Sequence, residues 1–216
     1  DSDESLVEYL IDYLLDSGQL SREELKSFRP SVCNRLDRNT SGLVAAGKSL
    51  LGLQALSKAI KERTIGKYYL CIVKGVIDSP RRIQGWLLKN EKTNQVTVTK
   101  QRREGSLPIE TEYVPMASDG HYTLLKVKLI TGRSHQIRAH LASIGHPVIG
   151  DTKYGDPREN LAAKKKYGVS CQLLHAALLV LPEELPEELS RLRGMEVSAP
   201  LPDVFAAFAG QLQGGR

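Results

Sequence analysis

The stretch on which the fold of this chain depends reads Asn34-Arg35-Leu36-Asp37-Arg38-Asn39-Thr40-Ser41-Gly42. It is rich in Asp, Asn, Thr, Ser and Gly, which favour tight turns. The apolar run 43–46 follows at once and predicts a strand that starts directly out of the loop. Asp37 is therefore a single carboxylate between Arg35 and Arg38, next to a rigid element. Cationic neighbours favour an ionised Asp, which can act as a nucleophile.

By itself this loop also has an ordinary structural explanation, in which Asp37 accepts backbone hydrogen bonds and the arginines lie in solvent. A second stretch favours a functional explanation. It reads Gly132-Arg133-Ser134-His135-Gln136-Ile137-Arg138, and it follows the alternating pattern of a strand at 122–130. It opens a helix predicted at 134–144, with Gly145 just past the helix end.

Together these motifs resemble the RluA family of pseudouridine synthases. Residues 35–43 are similar to the central loop of that family, and residues 132–138 to its second signature. The similarity continues in Gly145-His146-Pro147 and in Gly150-Asp151-x-x-Tyr154-Gly155, so that the matching segments span most of residues 35–181. Two long motifs in the right order are much more specific than either one alone.

The pattern of elements predicts the fold class. Many short strands with a few helices, in no βαβ alternation, predict an α+β fold. The resemblance implies the pseudouridine synthase fold, a curved, mixed, mostly antiparallel sheet with flanking helices and a central cleft. We predict a helical insertion or packing segment at 1–30, a catalytic domain at 31–210 and a loose tail at 211–216.

The N-terminal segment differs from that of many relatives, which carry a small RNA-binding domain there. Nothing before residue 30 resembles such a domain. The sequence begins with Asp1 rather than Met, which is consistent with the removal of an upstream domain.

The resemblance also implies the chemistry. It implies an enzyme that isomerises uridine in RNA by breaking the N-glycosidic bond and rejoining the base through carbon. Asp37 is the expected catalytic residue, either by attack on the sugar or by proton abstraction that yields a glycal. Lys67 and Tyr69 alternate onto one face of a strand predicted at 65–76, and the resemblance makes Tyr69 the active-site tyrosine. A Tyr there can stack on a base and donate a hydrogen bond.

Further site residues follow from the same motifs. Arg133 is the expected counter-ion of Asp37. The predicted substrate-binding residues are Arg35, Lys67, Tyr69, Arg133, Gln136 and Arg138. We interpret His135 and His140 as structural or RNA-facing, because two histidines five residues apart do not share one helix face as a zinc pair would. The family commonly has His where this chain has Asn34, so we do not expect proton chemistry at that position.

Composition and charge set the class of partner. Residues 1–30 hold eight acidic and three basic residues, whereas the remainder holds 27 basic and 17 acidic residues. This imbalance is compatible with a polyanion on one face. Three widely separated cysteines without a CxxC motif predict free thiols in a reducing, cytoplasmic setting. We predict no metal, no organic cofactor and no membrane segment, because no apolar run approaches about 18 residues.

RNA is the predicted partner of a chain that we expect to be monomeric. Large-subunit ribosomal RNA is the expected substrate, and transfer RNA is the alternative. A competing interpretation is a non-catalytic RNA-binding or ribosome-assembly protein, which the combination of Asp37, Arg133 and Tyr69 disfavours. A hydrolase that uses Asp37 with a His lacks a second carboxylate or base at a recognisable spacing.

Overall fold

The computed structural model describes residues 4–214, and these residues form two compact units. The first unit comprises residues 4–36, 44–65 and 180–195, and the second comprises residues 37–43, 66–179 and 196–214. The described part of the segment predicted at 1–30 thus falls within the first unit. The loop that carries Asp37 belongs to the second unit.

Helices and strands are mixed along the chain, which confirms the predicted α+β class. In chain order they are α1 Leu6–Asp16, β1 Ser31–Val32, β2 Ser41–Gly42, β3 Ala46–Gly47, α2 Leu50–Glu62, β4 Gly66–Lys74, β5 Arg81–Asn90, β6 Gln95–Thr99, β7 Leu107–Ser118, β8 Tyr122–Leu129, α3 Gln136–Ser143, α4 Pro157–Tyr167, β9 Leu174–Val180, β10 Glu196–Ser198 and α5 Asp203–Gly214. Short 3₁₀ helices lie at Glu24–Lys26 and Glu187–Leu192. None of the helices formed by residues 4–214 has the length and apolar character needed to cross a membrane.

Side-chain caps begin the helices of the first unit. Ser5 and Glu8 form a capping box at the start of α1. Ser21 and Glu24 form a second capping box, but only a three-residue 3₁₀ helix follows it. The Ser49 hydroxyl accepts a hydrogen bond from the Gly52 amide at 3.2 Å, which starts α2 one residue later.

The prediction of a strand at 43–46 is wrong, because two separate short strands, β2 and β3, flank an unpaired segment there. Gly42, in β2, pairs in parallel with Ala176 of β9 in the second unit. Ala46, in β3, pairs antiparallel with Val32 of β1 in the first unit. Residues 43–45 connect them without strand pairing. Gly42 has a φ of 107° and its Cα lies against the backbone of Ala176, so a side chain at this position would collide with β9.

A mixed and mostly antiparallel sheet forms the framework of the second unit, as predicted. Its strand order is β10-β9-β4-β8-β7-β5-β6, with β2 added in parallel to β9. The pairs from β4 to β8, β8 to β7, β7 to β5 and β5 to β6 are all antiparallel. The central cleft that the resemblance implies remains a prediction.

Helix α5 closes a hydrophobic core against the sheet. Phe208 is fully buried among residues that include Ile72 and Leu124, and Leu212 is buried in the same cluster. Truncating a buried Phe to Ala typically costs about 3–5 kcal/mol. Because Leu212 is a core residue, the helix continues to Gly214, and residues 211–214 are helical rather than a loose tail. Residues 215 and 216 of the predicted tail lie outside the described residues.

Candidate active site

Strand β9 and the residues just before it hold the loop that carries Asp37. The side-chain amide of Gln172 donates from Nε2 to the Arg38 carbonyl at 2.6 Å, and Ser41 Oγ lies 2.8 Å from His175 Nδ1. Within the loop, the Thr40 amide donates to the Asp37 carbonyl at 2.9 Å, which closes a turn. Asp37 is therefore presented from a turn that is held to this segment through Arg38 and Ser41.

Arg138 connects the Asp37 carboxylate to a second, buried carboxylate. Its Nη1 donates to Asp37 Oδ2 at 3.1 Å, while Nε and Nη2 donate to the two oxygens of Asp151 at 2.7 and 2.8 Å. The side chain of Asp151 is 0% exposed, that of Arg138 is 6% exposed and that of Asp37 is 22% exposed. Two carboxylates share one guanidinium, so the group carries a net negative charge, and Asp37 is its accessible member.

The buried pair stays ionised because its hydrogen bonds outweigh its burial. Burial by itself disfavours the charge of Arg138, but the hydrogen bonds to Asp151 and then to Asp37 hold the pKa of Arg138 above its ordinary value. Burial likewise opposes the charge of Asp151. The Arg138 guanidinium and the amides of Lys153 and Tyr154 nevertheless hold the pKa of Asp151 below its ordinary value.

The prediction that Arg133 is the counter-ion of Asp37 is wrong, since Arg138 makes this ion pair. Arg133 lies in the turn before α3, where its backbone amide donates to the Gln136 side chain at 3.1 Å. Its Nε is buried without a hydrogen-bond partner among residues 4–214. That donor is the remaining reason to keep Arg133 among the predicted substrate-binding residues.

Lys67 and Tyr69 lie on one face of β4, as the alternation predicts, and both are 8% exposed. Burial, and then the negative charge of Asp37, raise the pKa of Tyr69 to about 12. The Tyr69 hydroxyl is thus close enough to Asp37 to interact electrostatically with its carboxylate. Tyr68 points to the opposite face, where the ammonium groups of Lys126 and Lys128 lie 5.0 and 5.9 Å from its ring centroid.

Gln136 has a different function from the predicted one. Its amide group donates to the Glu110 carbonyl and to Thr111 Oγ1, at 2.9 and 3.1 Å. Its oxygen accepts from Thr131 Oγ1 and from the Arg133 amide, at 2.8 and 3.1 Å. All four hydrogen-bonding positions of the side chain are filled by the protein. Gln136 therefore fixes the turn before α3 and has no position left for a substrate.

Asp151 and Tyr154, to which the sequence alone assigned no specific function, adjoin the Asp37–Arg138 pair. The guanidinium carbon of Arg138 lies 5.3 Å from the centroid of the Tyr154 ring. The Tyr154 hydroxyl accepts from the Val96 amide at 2.9 Å and lies 2.8 Å from His135 Nδ1. Asp151 and Tyr154 both belong to the quoted Gly-Asp-x-x-Tyr-Gly motif, but its spacing does not show that they face Arg138.

Arg35 lies in the first unit with an exposed side chain, and its contact with substrate remains a prediction. Asn34, in the same unit, accepts a hydrogen bond from the Ala45 amide at 2.7 Å, which gives it a structural function. Within residues 4–214 no group of three or more His, Cys, Asp or Glu side chains is arranged to hold a metal ion.

Solved structures with this architecture define the class of protein. Human RNA pseudouridylate synthase domain containing 4 aligns with a TM-score of 0.69 at 22% identity, over 87% of this chain and 77% of its own. Human RNA pseudouridylate synthase domain containing 1 aligns with a TM-score of 0.61 at 25% identity, over 86% of this chain and 80% of its own. The fold is thus that of pseudouridylate synthase domains.

Sequence similarity assigns the family. The family model described as RNA pseudouridylate synthase matches residues 9–143, and this chain belongs to that family. Ribosomal large subunit pseudouridine synthase C of Vibrio cholerae is 32% identical over 185 residues, which are 83% of this chain and 56% of the relative. Synthase D of Borreliella burgdorferi is 34% identical over 155 residues, which are 71% of this chain and 46% of the relative. The chain thus spans about half the length of these curated relatives, and the family predicted from its motifs is confirmed.

Proposed function

We propose that this chain is an RNA pseudouridine synthase in which Asp37 acts on the ribose of a flipped uridine. The bond between C1′ and N1 of uracil breaks, the base turns within the site, and a new bond forms between C1′ and C5. The proton lost from C5 balances the proton gained at N1, so the reaction is an isomerisation and needs no added reagent.

The single observation that carries this proposal is the arrangement of Asp37, Arg138 and Asp151. Asp151 neutralises Arg138 and fixes its orientation, so that Nη1 positions the Asp37 carboxylate without removing the net negative charge of the group. A positioned, ionised and partly exposed carboxylate is suited to either proposed route, attack at the sugar or proton abstraction that yields a glycal. Both routes remain open.

Tyr69 is the proposed contact for the flipped base. Taking a base out of an RNA stack costs a few kcal/mol, and stacking on an aromatic ring returns about 1–3 kcal/mol. Tyr69 is close enough to Asp37 to interact with its charge, and its raised pKa keeps the hydroxyl protonated as a hydrogen-bond donor. Arg35, Lys67 and Arg133 are the proposed cationic contacts to the RNA.

Large-subunit ribosomal RNA is the proposed substrate, and transfer RNA of the same cell is the second candidate. The names of the curated relatives support the first, because they are ribosomal large-subunit enzymes. We propose a cytoplasmic location and a monomeric state, in line with the reducing setting that the free cysteines suggest.

The direct test is to incubate the 216-residue chain with ribosomal and transfer RNA that lack modifications, and to map pseudouridine at nucleotide resolution. Conversion of defined uridines by the wild type, and none by D37N, is the expected result. Tight RNA binding without conversion in any RNA would instead favour the non-catalytic RNA-binding interpretation.

A further inference from the structure

We propose that His135 is a further substrate-contacting residue, a neutral imidazole that donates a hydrogen bond from Nε2 to an oxygen of the flipped nucleotide. Tyr154 is its positioning residue. This inference rests on the proposed function, since it names a contact to the same uridine. The acceptors that fit are the uracil carbonyls and the ribose oxygens.

The Tyr154 hydroxyl determines which imidazole nitrogen carries the proton. This hydroxyl already accepts from the Val96 amide at 2.9 Å, and it lies 2.8 Å from His135 Nδ1. A phenol is a stronger hydrogen-bond donor than a neutral imidazole N–H, and an imidazole nitrogen is a stronger acceptor than a phenol oxygen, so the hydroxyl donates its own hydrogen to Nδ1. The hydrogens of the Val96 amide and of the Tyr154 hydroxyl then both have partners, and the imidazole hydrogen on Nε2 is left without a partner among the described residues. The reverse arrangement leaves the phenolic hydrogen without one among the described residues. A neutral His135 therefore carries its proton on Nε2.

The Nε2 donor has no hydrogen-bond partner among residues 4–214. Among residues 4–214 the single hydrogen bond of the imidazole is the one at Nδ1, and the ring is half-buried. A half-buried donor without a protein partner, beside the Asp37 carboxylate, is available to a ligand. Asp37 itself is held by Arg138, which leaves the imidazole free for another acceptor.

Tyr154 ties the imidazole to the same framework as the Asp37–Arg138 pair. Its backbone amide donates to Asp151 Oδ1 at 3.1 Å, and its ring faces the guanidinium of Arg138 at 5.3 Å. The His135 backbone is also constrained, with a φ of 53°, in the left-handed region that non-glycine residues rarely occupy. Such backbone strain tends to persist at functional sites.

The surrounding charges are consistent with a neutral ring. Burial lowers the pKa of His135, and the cations Arg138 and Lys153 act in the same direction. The carboxylates of Asp37 and Asp151 oppose them, and the net result is a pKa below the ordinary value. A lowered pKa favours the neutral imidazole above pH 6.5, where Nε2 acts as a hydrogen-bond donor.

The first experiment is ¹⁵N imidazole spectroscopy of the free chain, with His135 assigned by its loss in H135N. We expect the neutral Nε2–H tautomer from pH 6.5 to 8, and in Y154F a tautomer mixture that protonates at higher pH. A short RNA that contains a uridine converted by the wild type is then added to the D37N chain, which should bind it without converting it. Binding of this RNA should shift the Nε2 resonance of His135. An Nδ1–H tautomer in the wild type, or an unchanged Nε2 resonance with RNA bound, would overturn the inference.

The second experiment is single-turnover kinetics of H135N. Asn tolerates the left-handed backbone and can still bond Tyr154, but it has no donor at the position of Nε2. We expect a rate about tenfold or more below wild type with little change in RNA affinity. The matched control is H121N, which alters an exposed histidine bonded to Glu159 and should leave the rate unchanged.

The two experiments separate this inference from the proposed function. If the wild type forms pseudouridine and H135N does so at the same rate, the inference fails and the proposed function stands. If the wild type forms none, the proposed function fails. The proposed contact to the flipped uridine, which rests on that function, then fails with it.

Discussion

Asp151 binds Arg138 through two hydrogen bonds, 2.7 Å from Nε and 2.8 Å from Nη2. These bonds leave Nη1 as the atom that meets Asp37, at 3.1 Å. The buried carboxylate therefore orients the cation, and the partly exposed carboxylate is left for chemistry.

This relationship predicts that two similar substitutions, D151N and D37N, change the stability of the fold by very different amounts. Asp151→Asn removes the buried partner of Arg138, and breaking a buried ion pair typically costs about 3–5 kcal/mol of unfolding free energy. We expect D151N to unfold at a clearly lower urea concentration. The control is D37N, in which Arg138 keeps both bonds to Asp151, so that its stability should change by less than about 1 kcal/mol. Equal stability of D151N and wild type would contradict the structural role of Asp151.

Asp37→Asn should abolish pseudouridine formation while RNA binding stays within a few-fold of wild type. The substitution removes a charge and almost no volume, and Arg138 remains paired with Asp151. Single-turnover assays and a filter-binding titration measure the two effects. Asp78→Asn, in the exposed β4–β5 loop, is the matched control and should keep full activity. Turnover retained by D37N would remove the basis for Asp37 as the catalytic residue.

Tyr69→Phe should reduce the rate much more than the stability, because it removes a hydroxyl donor and keeps the ring. We expect an unfolding free energy within about 1 kcal/mol of wild type. Since the pKa of Tyr69 is raised to about 12, wild-type activity should show no rise from phenolate formation between pH 7 and 10. Tyr68→Phe, on the opposite face of β4, is the control and should act like wild type. Similar rates for Y69F and Y68F would show that the Tyr69 hydroxyl is dispensable.

Arg133→Lys should weaken RNA binding several-fold without affecting stability. Lys keeps the charge but loses the planar fork and the Nε donor, which is buried without a protein partner within the described range. A titration of RNA affinity against salt concentration separates the lost hydrogen bonds from the retained charge. Arg158→Lys, at an exposed position of α4, is the matched control. If R133K binds RNA as tightly as R158K does, Arg133 has no direct contact with the substrate.

His140 should make stability depend on pH in a defined window. Burial lowers the pKa of His140 to about 4, although a hydrogen bond involving the Gln84 backbone opposes the shift. The unfolded chain binds this proton below about pH 6.5, and the folded chain does so only near pH 4. Between these values the unfolded state binds more protons, so stability is lost as the pH falls.

The expected loss from this residue is about 1.6 kcal/mol between pH 6.5 and 5, measured by urea unfolding. In H140Q this part of the pH dependence should be absent, whatever the overall stability of the variant. A wild-type unfolding free energy that stays constant over the window would exclude the buried neutral imidazole, whose Nδ1 lies 3.0 Å from Thr111 Oγ1.

Local sequence signals predicted most of the elements of this chain. Strand β8 ends one residue before its predicted end at 130, and α3 lies within the helix predicted at 134–144. Alternation in strands, apolar spacing in helices and residues such as Ser49 and Gly145 act over a few positions, so they can be detected in the sequence itself. The two long motifs were likewise sufficient to predict the family and to single out Asp37.

What the sequence by itself determined is therefore the α+β class, the family and the carboxylate that we propose as catalytic. Only the tertiary structure decided which arginine meets Asp37, because that partner lies 101 residues away. Arg133 is in the turn before α3 and Arg138 is within the helix, and the left-handed backbone at His135 separates them. Spacing along the chain cannot show how such a turn directs each guanidinium, since the directions depend on packing between segments that are distant in sequence.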